Sequence, residues 1–174
     1  MLTFDPALRH HARAINEMRD AARQDLTQRL GPGPWSNPSH IQSIRERISL
    51  GDPIGLTRKT IFVASQGEVI VGSVAVTSFL PAFMKAKYWQ DPKSKGLGVF
   101  DLVVHHELQK QGLGRFLMEA CEQLARDHGF SYVRLDAFAE NSNSIGFYRT
   151  IGYDERCEID VRGCRLRLFE KRVS

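Results

Sequence analysis

The sequence predicts an α/β (α+β) fold in which helices pack on a mixed, mostly antiparallel sheet, and three observations carry that prediction. Thr60 to Ser65 and Val69 to Phe79 are β-rich runs joined by Gln66-Gly67, the pattern of a tight hairpin. Leu97 to Val104 is an apolar strand followed, across a glycine-bearing loop, by Leu113, Leu117, Ala120 and Leu124 at helical spacing, with Gly129 as the stop. Tyr132 to Phe138 and Cys164 to Val173 then read as strands, with Leu166 and Leu168 alternating. A chain of 174 residues, 42% hydrophobic and 25% charged, is long enough for one core and short for two, so 1–174 is expected to be a single domain.

In chain order, Asp5-Pro6 reads as a helix cap and first-turn proline, and Leu8, Ile15, Met18, Ala22 and Leu26 keep helical spacing up to Gly31. Gly31 to Pro34 breaks that helix, Trp35 opens a new segment, and Asn37-Pro38 starts a second helix with Ile41, Ile44 and Ile48 inward. The hairpin follows. Residues 80–96 form a long connection with Phe83, Tyr88 and Trp89 but little periodicity, read as an acceptor-binding loop or, more plainly, an apolar flap. After the Tyr132–Phe138 strand, Asn141 or Ser142 can cap a short helix that carries Ile145, Phe147, Tyr148 and Ile151, and Gly152 can end it in the left-handed conformation.

Charge and composition exclude several classes. The net charge of +4 suits a polyanionic ligand or scattered solubilising charge equally, and no basic run marks a nucleic-acid arm, so no nucleic acid is expected as partner. No apolar run approaches the roughly 18 residues that span a bilayer, and Met-Leu-Thr-Phe-Asp-Pro lacks the basic-then-apolar pattern of a signal peptide. No membrane and a cytoplasmic location are therefore expected. Cys121, Cys157 and Cys164 are odd in number and lack a metal-type spacing, which favours reduced thiols. His105 and His106 should point to opposite sides on leaving the strand, so no metal site is expected.

The loop Gln109-Lys-Gln-Gly-Leu-Gly-Arg115, between a strand and an amphipathic helix, has the chemistry of an anion cradle. The first turn of a helix leaves N–H groups without intrahelical partners at the positive end of the helix dipole. Gly112 and Gly114 remove side chains that would block a phosphate, and Lys110 and Arg115 add mobile positive charge. A dinucleotide fingerprint fits less well, although Asp136 stands where its ribose-binding acid would. His105 to Gln111 intervene after Val104, the third glycine position is Leu117, and no second mononucleotide half has room. No phosphate-binding G-x-x-x-x-G-K-[ST] occurs.

Together, the cradle and the segment Asn141-Ser-Asn-Ser-Ile-Gly-Phe-Tyr-Arg-Thr-Ile-Gly-Tyr153 resemble the GCN5-related N-acetyltransferase (GNAT) superfamily. Gln109, Gly112 and Gly114 fit its acetyl-CoA pattern [QR]-x-x-G-x-[GA]. Asn141, Ser144, Ile145, Tyr148, Gly152 and Tyr153 fit its later motif N-x-x-[AS]-I-x-x-Y-x-x-x-G-[FY]. The resemblance implies a GNAT fold whose sheet splays between the Leu97–Val104 and Tyr132–Phe138 strands. The acetyl-CoA-binding core would be 60–174 and the acceptor-side helical segment 1–55, where Trp35 is either a substrate contact or an aromatic plug. Backbone groups of Val103 and Val104 would hold the pantetheine arm, Lys110, Gln111, Gly112, Leu113, Gly114 and Arg115 the diphosphate, and Asn141 and Ser144 the other wall.

The resemblance also implies direct transfer of an acetyl group from the cosubstrate acetyl-CoA to a primary amine of a small molecule or peptide. Tyr148 would be the general acid at the departing sulfur. Asp136 is the first choice for the general base and Asp101 the second; if both face one cleft, each raises the other's pKa. No cysteine nucleophile is needed, because direct attack forms no acyl-enzyme. Homodimers are frequent in that superfamily, but no feature of the sequence specifies one. The alternative reading is a non-catalytic acyl-CoA sensor or interaction domain that kept the cradle and lost the acceptor chemistry.

Overall fold

The computed structural model describes every residue except Ile54. Its strands are β1 (Leu2–Pro6), β2 (Thr60–Gln66), β3 (Val69–Thr77), β4 (Gly96–Val104), β5 (Tyr132–Phe138), β6 (Asp154–Val161) and β7 (Cys164–Arg172). The helices are α1 (Ala12–Leu30), α2 (Ile41–Leu50), α3 (Leu113–Asp127) and α4 (Ser142–Thr150). The sheet has the order β1-β2-β3-β4-β5-β7-β6, and every neighbouring pair except β4–β5 is antiparallel. This is the mixed, mostly antiparallel architecture that the hydrophobic patterning predicts.

Alternation along the strands divides the core between two faces. On one face Phe62, Ala64, Val133 and Leu135 pack against Leu117, Met118 and Cys121 of α3 and Ile145 and Tyr148 of α4. On the other, Ile61 and Val63 pack against Ile15 of α1 and Ile44 of α2. The second face continues under the 80–96 connection, where Met84 and Trp89 close over Leu168. That connection is thus the apolar flap rather than an open acceptor loop. Arg134 pins it from below: its guanidinium donates to the carbonyls of Ser94 (3.2 Å) and Asp91 (2.8 Å) and lies over the Trp89 ring. Buried Glu170 accepts from the Gln90 N–H at 2.7 Å.

Two strands depart from the sequence reading. Asp5-Pro6 does not start a helix; Leu2–Pro6 pairs with β2 in the register Leu2↔Gln66 to Pro6↔Phe62, and Phe4 stacks on Phe62. The free edge of β2 offers backbone partners that no local signal at residues 2–6 reveals, so tertiary pairing overrides the capping pattern. The segment 1–55 is therefore strand plus helices, with α1 beginning only at Ala12. β6 is hidden in the sequence by its charge, since Asp154–Val161 is rich in Asp and Glu. It is an edge strand whose Glu155 and Glu158 pair across to Arg165 and Arg167, and Arg162-Gly163, both at positive φ, turns it into β7. The first hairpin also turns one residue later than read, at Gly67-Glu68, because Gln66 still pairs with Val69.

A buried polar knot ties α3 to the far strands. Glu122 accepts from the Tyr153 hydroxyl (3.1 Å) and the Lys171 ammonium (2.9 Å), and Lys171 also donates to the Ile151 carbonyl. Glu122→Ala is expected to cost about 2–3 kcal/mol, because it leaves the buried Tyr153 hydroxyl without its acceptor and the half-buried Lys171 ammonium with only the Ile151 carbonyl and solvent. Urea denaturation of the variant, with an unchanged m-value, checks this.

Candidate active site

The feature that builds the site is an interrupted strand pair. β4 and β5 run parallel and pair only from Gly96↔Tyr132 to Gly98↔Arg134, after which they diverge. The cause lies in β4. The β3–β4 register slips between Ser73 and Ala75, opposite Asp101, whose φ of 53° places a non-glycine residue in the left-handed region. The bulge bends β4 outward, while β5 stays paired with β7 along its whole length, from Tyr132↔Arg172 to Phe138↔Leu166. Beyond Gly98, the β4 edge facing β5 has no strand partner among the described residues.

A cleft of about 720 Å³ opens in this gap. Its walls include Val103, Val104, Gln109, Lys110, Gly112, Leu113, Gly114 and Arg115 on one side and Asn141, Ser144 and Tyr148 on the other. Every cofactor residue expected from the sequence is therefore brought together except Gln111, which is exposed and donates its side-chain amide to the Glu107 carbonyl. Sequence reasoning missed Ala22, Asp25, Leu26 and Arg29 of α1, together with Leu102 and Phe147, which also line the cleft. The helical period of α1 was legible, but nothing local says which neighbour its far end meets.

The loop has the geometry of an anion cradle. Gly112 caps α3 in the left-handed region at φ 85°, Lys110 also has positive φ, and the first backbone bond into the helix runs from Phe116 N–H to Gly112 C=O. The N–H groups of Leu113, Gly114 and Arg115 are thus left without intrahelical acceptors at the positive end of the dipole. A Cβ at Gly114 would come within 3.2 Å of the Phe147 ring, so close packing on α4 explains that glycine, whereas Gly112 has open space and only its φ demands one. Gly112→Ala is expected to cost about 1–2 kcal/mol of stability from the left-handed strain and to weaken binding of the acetyl-CoA that the sequence resemblance implies. Thermal denaturation and a calorimetric titration of acetyl-CoA measure the two effects. Asn141 caps α4 through Oδ1 to the Ser144 N–H, and its Nδ2 donates to Ser144 Oγ, so these two polar groups arrive in the wall already oriented.

Tyr148 is buried on α4, with Phe147, Tyr153 and Phe169 around its ring. Its hydroxyl forms no hydrogen bond among the described residues. Burial, with the charge of Asp136 and then Cys121, pushes its pKa above the usual phenol range, so it stays neutral at physiological pH. Cys121 is buried and free, as core filling requires.

Asp136 and Asp101 do not line that cleft; they sit on the face of the sheet that carries α1 and α2. Asp136 forms no ion pair with Arg134, which is committed to Glu170, and its carboxyl has no hydrogen bond among the described residues. Burial raises its pKa to about 6, Lys59 opposing and Asp101 adding to the rise. Asp101 goes the other way. Burial favours its neutral form, but Lys59, Arg19 and Arg47 together outweigh that and hold it below the usual carboxylate range. The two acids therefore do not raise each other symmetrically: one is near neutrality and unpaired, the other is locked as an anion by three cations.

Trp35 is a plug rather than an open surface: it is buried, packs edge-on to Phe138, and donates its indole N–H to the Gly31 carbonyl. His105 and His106 do not point apart; a turn after β4 brings their rings to a stack at 4.8 Å. Among the described residues no group of His, Cys, Asp and Glu could hold a metal ion, and no helix is long and apolar enough to cross a membrane.

Comparison with known proteins places this geometry. Residues 16–153 match the acetyltransferase (GNAT) family. Human N-acetyltransferase 8B is 33% identical over 94 residues, 53% of this chain, and the match spans 37% of that relative's length. The chain thus spans little more than a third of the curated relatives it matches. Among solved structures, a GNAT-family acetyltransferase from Streptococcus agalactiae is 15% identical with a TM-score of 0.78, covering 98% of this chain and 95% of that one. The yncA protein of Salmonella typhimurium, solved with its cofactor acetyl-CoA, is 17% identical with a TM-score of 0.69, covering 99% and 94%.

Proposed function

Because the chain belongs to the acetyltransferase (GNAT) family, we propose that it is an N-acetyltransferase moving an acetyl group from acetyl-CoA directly to a primary amine, with 1–174 acting as one catalytic domain. The observation that carries this reading is the splay itself, which opens a cradle-bearing cleft lined by Tyr148 and leaves Asp136, an unpaired carboxyl on the other face of the sheet, near enough for its charge to act on the phenol.

The residues present fit acetyl-CoA. The unpartnered N–H groups at the start of α3, with Lys110 and Arg115, suit the diphosphate, and the free β4 edge at Val103 and Val104 suits the amides of the arm as a substitute strand. When bound, acetyl-CoA supplies an activated acyl thioester. The chain supplies proton handling and positioning.

Asp136 takes the proton from the incoming ammonium, since an amine attacks only when neutral and a carboxyl titrating at about 6 is largely ionised at neutral pH. Tyr148 enters as a neutral donor. With a pKa above the ordinary phenol value of about 10, it gives the departing sulfur a hydrogen bond rather than giving up its proton in the ground state. Asp101 serves as a positioning group that gathers Lys59, Arg19 and Arg47 beside Asp136.

Thiol release from acetyl-CoA over a panel of amines tests the reading. Turnover on any primary amine supports it. Acetyl-CoA binding with no thiol released on any amine would favour the alternative of a non-catalytic acyl-CoA sensor.

A further inference from the structure

Around Asp101 lies a cluster of charge that the proposed acetyl transfer does not consume. Three cations, from α1, α2 and the residue just before β2, converge on one carboxylate oxygen: Lys59 Nζ at 2.9 Å, Arg47 Nη1 at 3.5 Å and Arg19 Nη2 at 3.6 Å from Asp101 Oδ2. Asp101, even together with the neighbouring Asp136 carboxyl, cannot neutralise three cations, so the cluster carries an excess of positive charge. Arg19 makes the deficit plain. It is only 7% exposed, its Nε has no hydrogen-bond partner among the described residues, and its Nη2 comes no nearer to Asp101 Oδ2 than 3.6 Å, which is short of a hydrogen bond.

The cluster is also reachable. The Arg47 and Lys59 side chains are 45% and 34% exposed, so an anion arriving from solvent can engage them while Arg19 reinforces the field from beneath. It lies beside the base as well, since Lys59 and Asp101 are the charged neighbours that act on the Asp136 carboxyl. Phe138, two residues along β5 on the same face, contributes with Trp35 an apolar wall nearby.

Resting on the acetyltransferase reading above, we propose that the acceptor is an amino acid, whose amine faces Asp136 and whose carboxylate is held by Arg47 and Lys59 with Arg19 behind them. A polycationic amine such as a polyamine is disfavoured, because its second ammonium would meet the cations instead of a carboxylate.

The test pairs each standard L-amino acid with its own carboxamide and adds spermidine and a set of tetrapeptides, with thiol release from acetyl-CoA as the readout. For the best acceptor the free acid should exceed its amide by tenfold or more in kcat/KM. Arg47→Gln should collapse that ratio toward one, chiefly through KM, and Arg47→Lys should restore part of it. Equal rates on acids and amides, an unchanged ratio in Arg47→Gln, or a preference for spermidine or peptide N-termini would each overturn the proposal. If no amine turned over while acetyl-CoA still bound, the acetyltransferase reading would fail. The cluster would then be judged by saturation-transfer NMR of phenylalanine against phenylalaninamide on the wild-type protein. Binding of the acid alone supports the anion site, and equal or absent binding refutes it.

Discussion

Tyr148→Phe is expected to lower kcat on the order of 100-fold while leaving the affinity for acetyl-CoA within about twofold, the range that loss of one positioned proton donor produces. The change deletes one oxygen from a ring already packed against Phe147, Tyr153 and Phe169, and that oxygen has no hydrogen bond among the described residues. The fold therefore loses nothing it uses, and the melting temperature should stay the same or rise slightly. Stopped-flow or steady-state thiol release gives kcat, and calorimetry with acetyl-CoA gives the affinity. An unchanged kcat would remove Tyr148 from the chemistry and leave it as a core tyrosine.

Asp136→Asn should lower kcat/KM by a similar factor, and its signature lies in the pH profile. In the wild type the carboxyl titrates at about 6, so kcat/KM should fall as pH drops through that value, where Asp136 takes up its own proton. In Asp136→Asn that limb should vanish, while the limb from the acceptor amine at higher pH remains. Stability should move the opposite way from activity. A carboxyl whose folded pKa is raised above the ordinary carboxylate value binds more protons folded than unfolded, so wild-type stability declines as pH rises from about 4 to about 6. That loss is absent from the asparagine variant, which should be more stable than wild type by on the order of 1–2 kcal/mol at neutral pH and no more stable at pH 3. Slower but sturdier is the combination a purely structural aspartate would not give. Urea melts at the two pH values, set beside the pH–rate profile, decide between the two roles.

Most of the candidate site could be read along the chain because its components are local. An anion cradle needs glycines, a helix start and flanking cations within a few residues, and Gln109 to Arg115 supply them in line. The α4 cap at Asn141 and the left-handed stop at Gly152 are equally local, and the structure reproduces both. The strands that escaped the sequence reading did so for the converse reason. β1 exists because β2 has an edge to fill, and β6 because Arg165 and Arg167 wait opposite its glutamates. Neither cause lies within the strand concerned.

Periodicity, glycine placement and capping act over a few bonds, and they were enough to specify β2 to β5, β7, the helices between them, the cradle and the tyrosine behind it, but not β1 or β6. Packing in three dimensions settled the rest: the β4 bulge at Asp101 that separates β4 from β5, the unpaired state of Asp136 while Arg134 is spent on Glu170, and the crowding of Arg19, Arg47 and Lys59 on one carboxylate. Charge and solvation act through space. Which ions meet, and which is left without a partner, is fixed when α1, α2, β2 and β4 come together.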